Sequence, residues 1–318
     1  MTSGQWERTT VAGVRADAVA GLAIMRDKSD DIALAATRGG LLASRDGGKH
    51  WGRAPGRFGT LPFMAVALSP SSNRDLLAFA GTRGGVCWSP NLTDWTLSQF
   101  PTADMQVVTI VPSPAFPLDG IVLAGTMGDG VLRSEDRGQT FAAWNFGLLD
   151  REVMSLALSP RFSDDRTALA ATATGVFRST NGGRAWTETS LVDVASAILS
   201  VTFSPRRDRS SAVAVDESGG VHISDDHGLT WHKLSTPLDG RSLNAVVVPS
   251  DETATMAIAH DAGVHISTDG GATWHGWRAP ASALCLAATR IEDRGGIVLL
   301  AGLAEGGIYR REVYPVST

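Results

Sequence analysis

Short apolar runs recur down this chain in a fixed order, and polar or turn-forming residues bound each one. The first kind reads AGLAIM, MAVALSP, VVTIVPSP, VMSLALSP, LSVTFSP and NAVVVPS. The second reads DIALAAT, RDLLAFAGT, GIVLAGT, TALAATAT, SAVAVDE and TMAIAHD. The third ends in Gly-apolar-x-x-Ser, starting at Gly40, Gly85, Gly130, Gly175, Gly220 and Gly263. A polar turn follows, and a Trp or Phe then opens a fourth segment. Each run is too short for an ordinary helix, so the pattern predicts units of four antiparallel strands, a to d.

The polar turn sets the period. It reads SRDGGKHW from Ser44, SPNLTDW from Ser89, SEDRGQTF from Ser134, STNGGRAW from Ser179, SDDHGLTW from Ser224 and STDGGATW from Ser267, with the serines spaced 45, 45, 45, 45 and 43 residues apart. A repeat of this length with four strands per unit is the pattern of a propeller blade. A last set, ALCLAAT, GGIVLLAGL and GGIYRRE, supplies strands a, b and c of a seventh unit, with Arg311 falling 44 residues after Ser267. Its fourth strand is absent from the C-terminal end, while Gln5-Trp6-Glu7-Arg8 reads as a strand d with no blade of its own. The expected fold is all-β: a seven-bladed β-propeller of four-stranded antiparallel blades, one domain over residues 1–318, its last blade closed by the N-terminal strand. Closure of this kind removes exposed sheet edges.

Within the turn, a short carboxylate or amide (Asp46, Asp136, Asn181, Asp226, Asp269) can accept hydrogen bonds from its own backbone. The Gly that follows tolerates positive φ, and the aromatic packs across the blade. None of these roles needs a ligand. The motif Ser-x-Asp-x-Gly-x-Thr-Trp resembles the Asp-box, or bacterial neuraminidase, repeat. Blade 4 has Asn181 for Asp, blade 3 has Phe141 for Trp, and blade 2 (Ser89-Pro90-Asn91) lacks the Asp-x-Gly core. The resemblance spans nearly the whole chain and implies a propeller. It does not select an activity, because Asp-box propellers include sialidases, xyloglucanases, sortilin-type receptors and a photosystem II assembly factor.

Sialidase chemistry uses a Tyr nucleophile, and the family also needs an arginine cluster. The chain has 2 tyrosines. Tyr309 occupies the strand c position filled elsewhere by Leu42, Cys87, Leu132, Phe177, His222 and His265, which marks it as packing, and Tyr314 lies in the tail. Xyloglucanase-like enzymes place acidic residues in a cleft between two propellers, and only one is present here. No nucleophile elbow, phosphate loop or dinucleotide fingerprint occurs. Six histidines crowd blades 5 and 6: His222, His227, His232, His260, His265 and His275. His222 and His265 share one repeat position and His232 and His275 another, so duplication of a blade explains them, and neither a metal nor a cofactor is expected.

Composition narrows the partners. The net charge is −5 and the pI near 5.8, which disfavours a general nucleic-acid binder. No apolar run is long enough to span a membrane. The N-terminus lacks the basic stretch and apolar core of a secretory signal, so a cytoplasmic protein is expected. Cys87 and Cys285 fall in different blades and different strands, and they read as reduced core thiols.

The residues that the repeat does not constrain lie in the b–c and d–a loops. Arg38 and Arg83 make blades 1 and 2 basic there. Glu217, Asp261 and Glu305 make blades 5 to 7 acidic. The d–a segment AAWNFGLLDRE carries Trp144 and Phe146, and exposed apolar clusters mark interaction sites. A channel-mouth position would let these residues fold over the mouth and pack there. The expected function is a noncatalytic binding or assembly propeller that engages a protein partner through this face. The alternative is a carbohydrate-active propeller, lectin-like or hydrolytic.

Overall fold

The computed structural model describes residues 5–11, 17–26, 31–70, 76–101, 104–192, 195–205, 211–249, 254–291 and 295–314. The apolar runs form seven sheets. In blade 1, strands a to d are Val19–Arg26, Asp31–Thr37, Gly40–Ser44 and His50–Arg53. The corresponding strands of blade 5 are Ile198–Phe203, Ala212–Asp216, Val221–Ser224 and His232–Leu234. Those of blade 6 are Leu243–Val247, Met256–His260, Gly263–Ser267 and His275–Arg278. Blade 7 takes Ala283–Ile291, Gly296–Leu303 and Ile308–Val313 from the C-terminal end, and Glu7–Arg8 from the N-terminal end. Glu7 pairs with Arg310 and Arg8 with Tyr309, antiparallel, so the two ends of the chain close the ring in one sheet.

Two local features go beyond the four-strand pattern. Thr10–Val11 adds a fifth, parallel strand outside blade 1, with Thr10 opposite His50 and Val11 opposite Trp51. The a–b loops of blades 3 and 4 contain single helical turns, Phe116–Asp119 and Phe162–Asp165. Phe116 and Phe162 are fully buried, as their matching positions imply.

The core lies between the blades. Strand b is covered on both faces: Ala33, Leu34, Ala35 and Ala36 are all 0% exposed. Its small residues let one sheet lie close against the next. At Gly302 of blade 7, for example, a Cβ would sit only 2.6 Å from the Val19 side chain of blade 1. Burial on this scale drives the ring together. It also raises the two thiols, Cys87 to about 11 and Cys285 to about 12.

The Asp-box turns share one hydrogen-bond network. In blade 5, Ser224 Oγ donates to Asp226 Oδ1 (2.8 Å) and accepts from the Gly228 amide (2.9 Å). Asp226 Oδ1 in turn accepts from the amides of Leu229 and Thr230. Burial raises the Asp226 carboxyl, but Thr230, Ser224 and the Leu229 amide outweigh it and hold the group at about 2. Blade 2 keeps the network without its Asp-x-Gly core. Asn91 Oδ1 accepts from the amides of Thr93 and Asp94, and Leu92 takes the left-handed conformation (φ 68°). The indoles of Trp51, Trp231 and Trp274 each donate to the carbonyl of the glycine three residues before them, Gly48, Gly228 and Gly271.

Blade 7 cannot make that last bond. By strand register, Trp6 holds the motif-aromatic position, but strands c and d come from opposite ends of the chain and no Asp-box turn joins them. Its indole N–H is buried with no hydrogen-bond partner. Trp6 is held instead by stacking on Trp277 of blade 6 (centroids 4.6 Å, 21°), with Tyr309 beyond it at 5.2 Å from Trp277. Tyr309 is thus a packing residue.

Candidate functional site

Strand polarity puts the b–c turns and d–a connections at one end of the ring, with the Asp-box turns at the other. Main-chain hydrogen bonds tie the first two together: Gly84 N–H to Met105 O, Gly128 N–H to Arg151 O, and Asp261 N–H to Ser242 O. Arg38, Arg83, Glu217, Asp261 and Glu305 all sit exposed at this end, on b–c turns. Arg38 and Arg83 occupy neighbouring blades, while the three carboxylates occupy blades 5, 6 and 7. The structure therefore distributes charge around the face and does not gather it into one site. Asp261 pairs with Arg241 at 3.4 Å.

Trp144 and Phe146 lie elsewhere than over the channel. They follow strand d of blade 3, Ala142–Ala143, which is outermost in its sheet. Phe146 bridges Ala185 of blade 4, and its carbonyl accepts from the Trp186 amide (2.8 Å). The Trp144 carbonyl accepts from the Trp186 indole (3.0 Å). The expectation that this segment folds over the channel mouth is therefore corrected. Sheet twist carries the end of one strand d to the start of the next, so the segment lies on the outer rim between blades 3 and 4. Asn145 fastens it to blade 3 through the Val131 amide and the Asp129 carbonyl. Asp150 fastens it to Thr174 of blade 4. Leu148 turns inward at 4% exposure, leaving Phe146 (81%) and Leu149 (76%) in solvent and Trp144 under the Arg184 guanidinium at 5.8 Å.

Two concave regions stand out among the described residues. One, of about 410 Å³, is lined by strand a residues of blades 7, 1 and 2, including Leu22, Ile24, Met25, Val66 and Leu286, and so belongs to the apolar wall of the channel. The other, of about 490 Å³, is lined by Arg241, His260, Ala262, His265, Gly276, Trp277 and Arg278. The charge pattern of the loops did not single out this cleft.

The cleft rests on a histidine pair. His260 ends strand b, where blades 1 to 4 carry Thr37, Thr82, Thr126 and Thr172. His265 lies beside it on strand c, with His260 Nε2 2.8 Å from His265 Nδ1. The Ala262 amide approaches His260 Nδ1 at 3.1 Å. Asp261 Oδ1 also lies 3.2 Å from that nitrogen. The amide hydrogen is fixed by the backbone and can only be donated, so we assign Nδ1 as the acceptor; Nε2–H then donates to His265 Nδ1, and His265 is left with Nε2–H. Burial, the neighbouring His260 and Arg241 push His265 down to about 4. Burial likewise lowers His260. The pair is neutral at pH 7. Among the described residues no group of three or more His, Cys, Asp or Glu could hold a metal ion. No described helix is long and apolar enough to cross a membrane.

The BNR/Asp-box repeat family matches residues 222–233 and 265–275, the c–d turns of blades 5 and 6. No curated protein matches the chain. Among solved structures, YCF48 bound to D1 peptide is 15% identical with a TM-score of 0.70, covering 100% of this chain and 97% of that one. YCF48 from Cyanidioschyzon merolae is 15% identical with a TM-score of 0.66, covering 98% and 99%. At this identity the likeness is one of fold.

Proposed function

We propose that the chain is a noncatalytic binding or assembly propeller that engages a protein partner, as a subunit of a larger complex, through its b–c/d–a face and the adjoining rim. The observation that carries this reading is the apolar group Trp144, Phe146 and Leu149, exposed on a segment hydrogen-bonded at both ends. A tethered apolar surface loses little conformational freedom on binding, and aromatic and Arg residues concentrate interface energy. Arg38 and Arg83 on one arc, with Glu217, Asp261 and Glu305 on another, would orient the partner by charge. A structure of the same fold, YCF48, is known with a D1 peptide bound.

The test is capture from native lysate with the intact ring as bait. Trp144→Ala and Arg83→Glu should weaken recovery of the partner, while Lys49→Glu, on the Asp-box face, should leave it intact. The reverse pattern would move the binding surface to the Asp-box face.

A further inference from the structure

Opposite the strand c position of His265, every other blade presents a side chain from strand d or its equivalent. These are Arg53 opposite Leu42, Leu97 opposite Cys87, Ala143 opposite Leu132, Glu188 opposite Phe177, Lys233 opposite His222 and Arg8 opposite Tyr309. Blade 6 presents Gly276 opposite His265. A Cβ on Gly276 would stand 2.6 Å from His265 Nε2. The missing side chain therefore opens the cleft where the one imidazole N–H left over by the histidine pair emerges.

Alternation along strands b, c and d sets His260, His265, Gly276 and Arg278 on the side of blade 6 that faces blade 5. Arg241 joins them from the connection between those blades. The Arg241 guanidinium is steadied by Asp261 at 3.4 Å. Arg278 has no ion pair among the described residues. Two guanidiniums and a neutral imidazole N–H thus converge on about 490 Å³, with one exposed carboxylate at the edge. Such a donor set fits a planar anion, because guanidinium forks match carboxylate geometry bidentately. In blade 5 the same location is occupied: Asp216 takes the His222 imidazole at 2.9 Å, and Lys233 pairs with Asp239 at 2.9 Å. There the protein supplies its own carboxylate; in blade 6 that carboxylate is missing.

We infer that the cleft between blades 5 and 6, bounded by Arg241, Arg278, His265 and Gly276, binds a peptide carboxylate, either an acidic side chain or a C-terminus. The inference rests on the reading of this face as a protein-binding surface, and carboxylates are the only anions an unmodified peptide offers. His265 is a neutral donor to the bound oxygen, and Arg278 is the principal charge.

The test is titration of the 15N-labelled protein, followed by imidazole and amide NMR shifts. Its probes are four: an acetylated, amidated Gly/Ser peptide with one internal Glu, a free-acid Gly/Ser/Ala peptide, the neutral amidated analogue, and inorganic phosphate. One or both carboxylate peptides should shift His265 Nε2 and the Gly276 amide, and which does so identifies the source; the neutral analogue should not. Arg278→Gln should weaken that binding about tenfold, and Gly276→Val should abolish it with His222 signals unchanged as a check on folding. Equal shifts from the neutral analogue, shifts from phosphate alone, or full affinity in Arg278→Gln would overturn the assignment. Partner capture that survives Arg278→Gln while the carboxylate shift is lost would leave this site standing and put the partner elsewhere on the ring. Partner capture sensitive to Trp144→Ala, with no carboxylate shift, would leave the binding reading standing and remove this site.

Discussion

Blades 5 and 6 carry nearly the same strand c and turn, GVHISDDHGLTWHK against GVHISTDGGATWHG, yet the pockets beside them have opposite chemistry. In blade 5, Asp216 accepts from the Ser218 amide and hydroxyl, the Gly220 amide and His222. Burial raises this carboxyl, but His222, Gly220 and Ser218 reverse the effect and leave it well below the usual carboxylate range. In blade 6, His260 stands in the same place and satisfies His265 with a neutral donor. One substitution at the end of strand b, with Gly276 in place of Lys233, turns a closed ion network into an open cleft. The shared scaffold leaves this location free to vary because the Asp-box network does not reach it.

The comparison breaks most sharply at Asp216. Asp216→Ala strands several buried donors and should cost about 3 kcal/mol in urea unfolding, whereas His260→Ala, which removes the two neutral bonds to His265 and the Ala262 amide, should cost about 1–2 kcal/mol. Equal losses would mean that the two networks are equivalent in strength. Next come the turns that the blades share. Ser224→Ala and Ser267→Ala each remove a buried hydroxyl that bonds both a turn carboxylate and a turn amide. Each should cost about 1–2 kcal/mol by the same measurement, and by similar amounts. A large difference between them would show that the blades are not interchangeable even at the turn.

The pH profile separates the two pockets with smaller effects. His265 falls from its usual 6.5 to about 4 in the fold, so the unfolded chain binds the extra proton first. Its contribution to stability is complete above about 6.5 and is lost as pH falls towards 4. The turn carboxylates Asp46 and Asp226, lowered from 3.8 to about 2, lose theirs only between about 4 and 2. His265→Gln should flatten the upper window in thermal melts at stepped pH and leave the lower one in place. An unchanged upper window would remove His265 as its source. Smallest of all, Gly276→Lys should rebuild the blade 5 arrangement opposite His265, changing the melting temperature by only a few degrees while closing the cleft to carboxylate peptides. Undiminished peptide binding in that variant would show that the cleft is not where they bind.

Much of the ring was legible in the residues because a repeat states the same instruction several times. Ser224, Asp226 and Trp231 return at Ser267, Asp269 and Trp274, and the apolar runs between them, bounded by turn residues, are too short for ordinary helices and read as strands. Even the closure could be read, from Trp6 lying at one end and an incomplete blade at the other. Of the candidate site, the sequence showed charge, with Arg38, Arg83, Glu217, Asp261 and Glu305 on b–c turns, and an apolar segment carrying Trp144 and Phe146. Two things required the folded ring. Sheet twist carried Trp144 and Phe146 to the outer rim against Trp186, and no local pattern encodes where a twisted outer strand ends. The cleft came from register and from distance in sequence: Gly276 matters because it faces His265, and Arg241 because the connection from blade 5 returns beside them. Local sequence determined each strand and each turn, since those depend on neighbours a few residues away. Pockets between blades depend on which side chains are absent opposite one another, and only tertiary packing decides that.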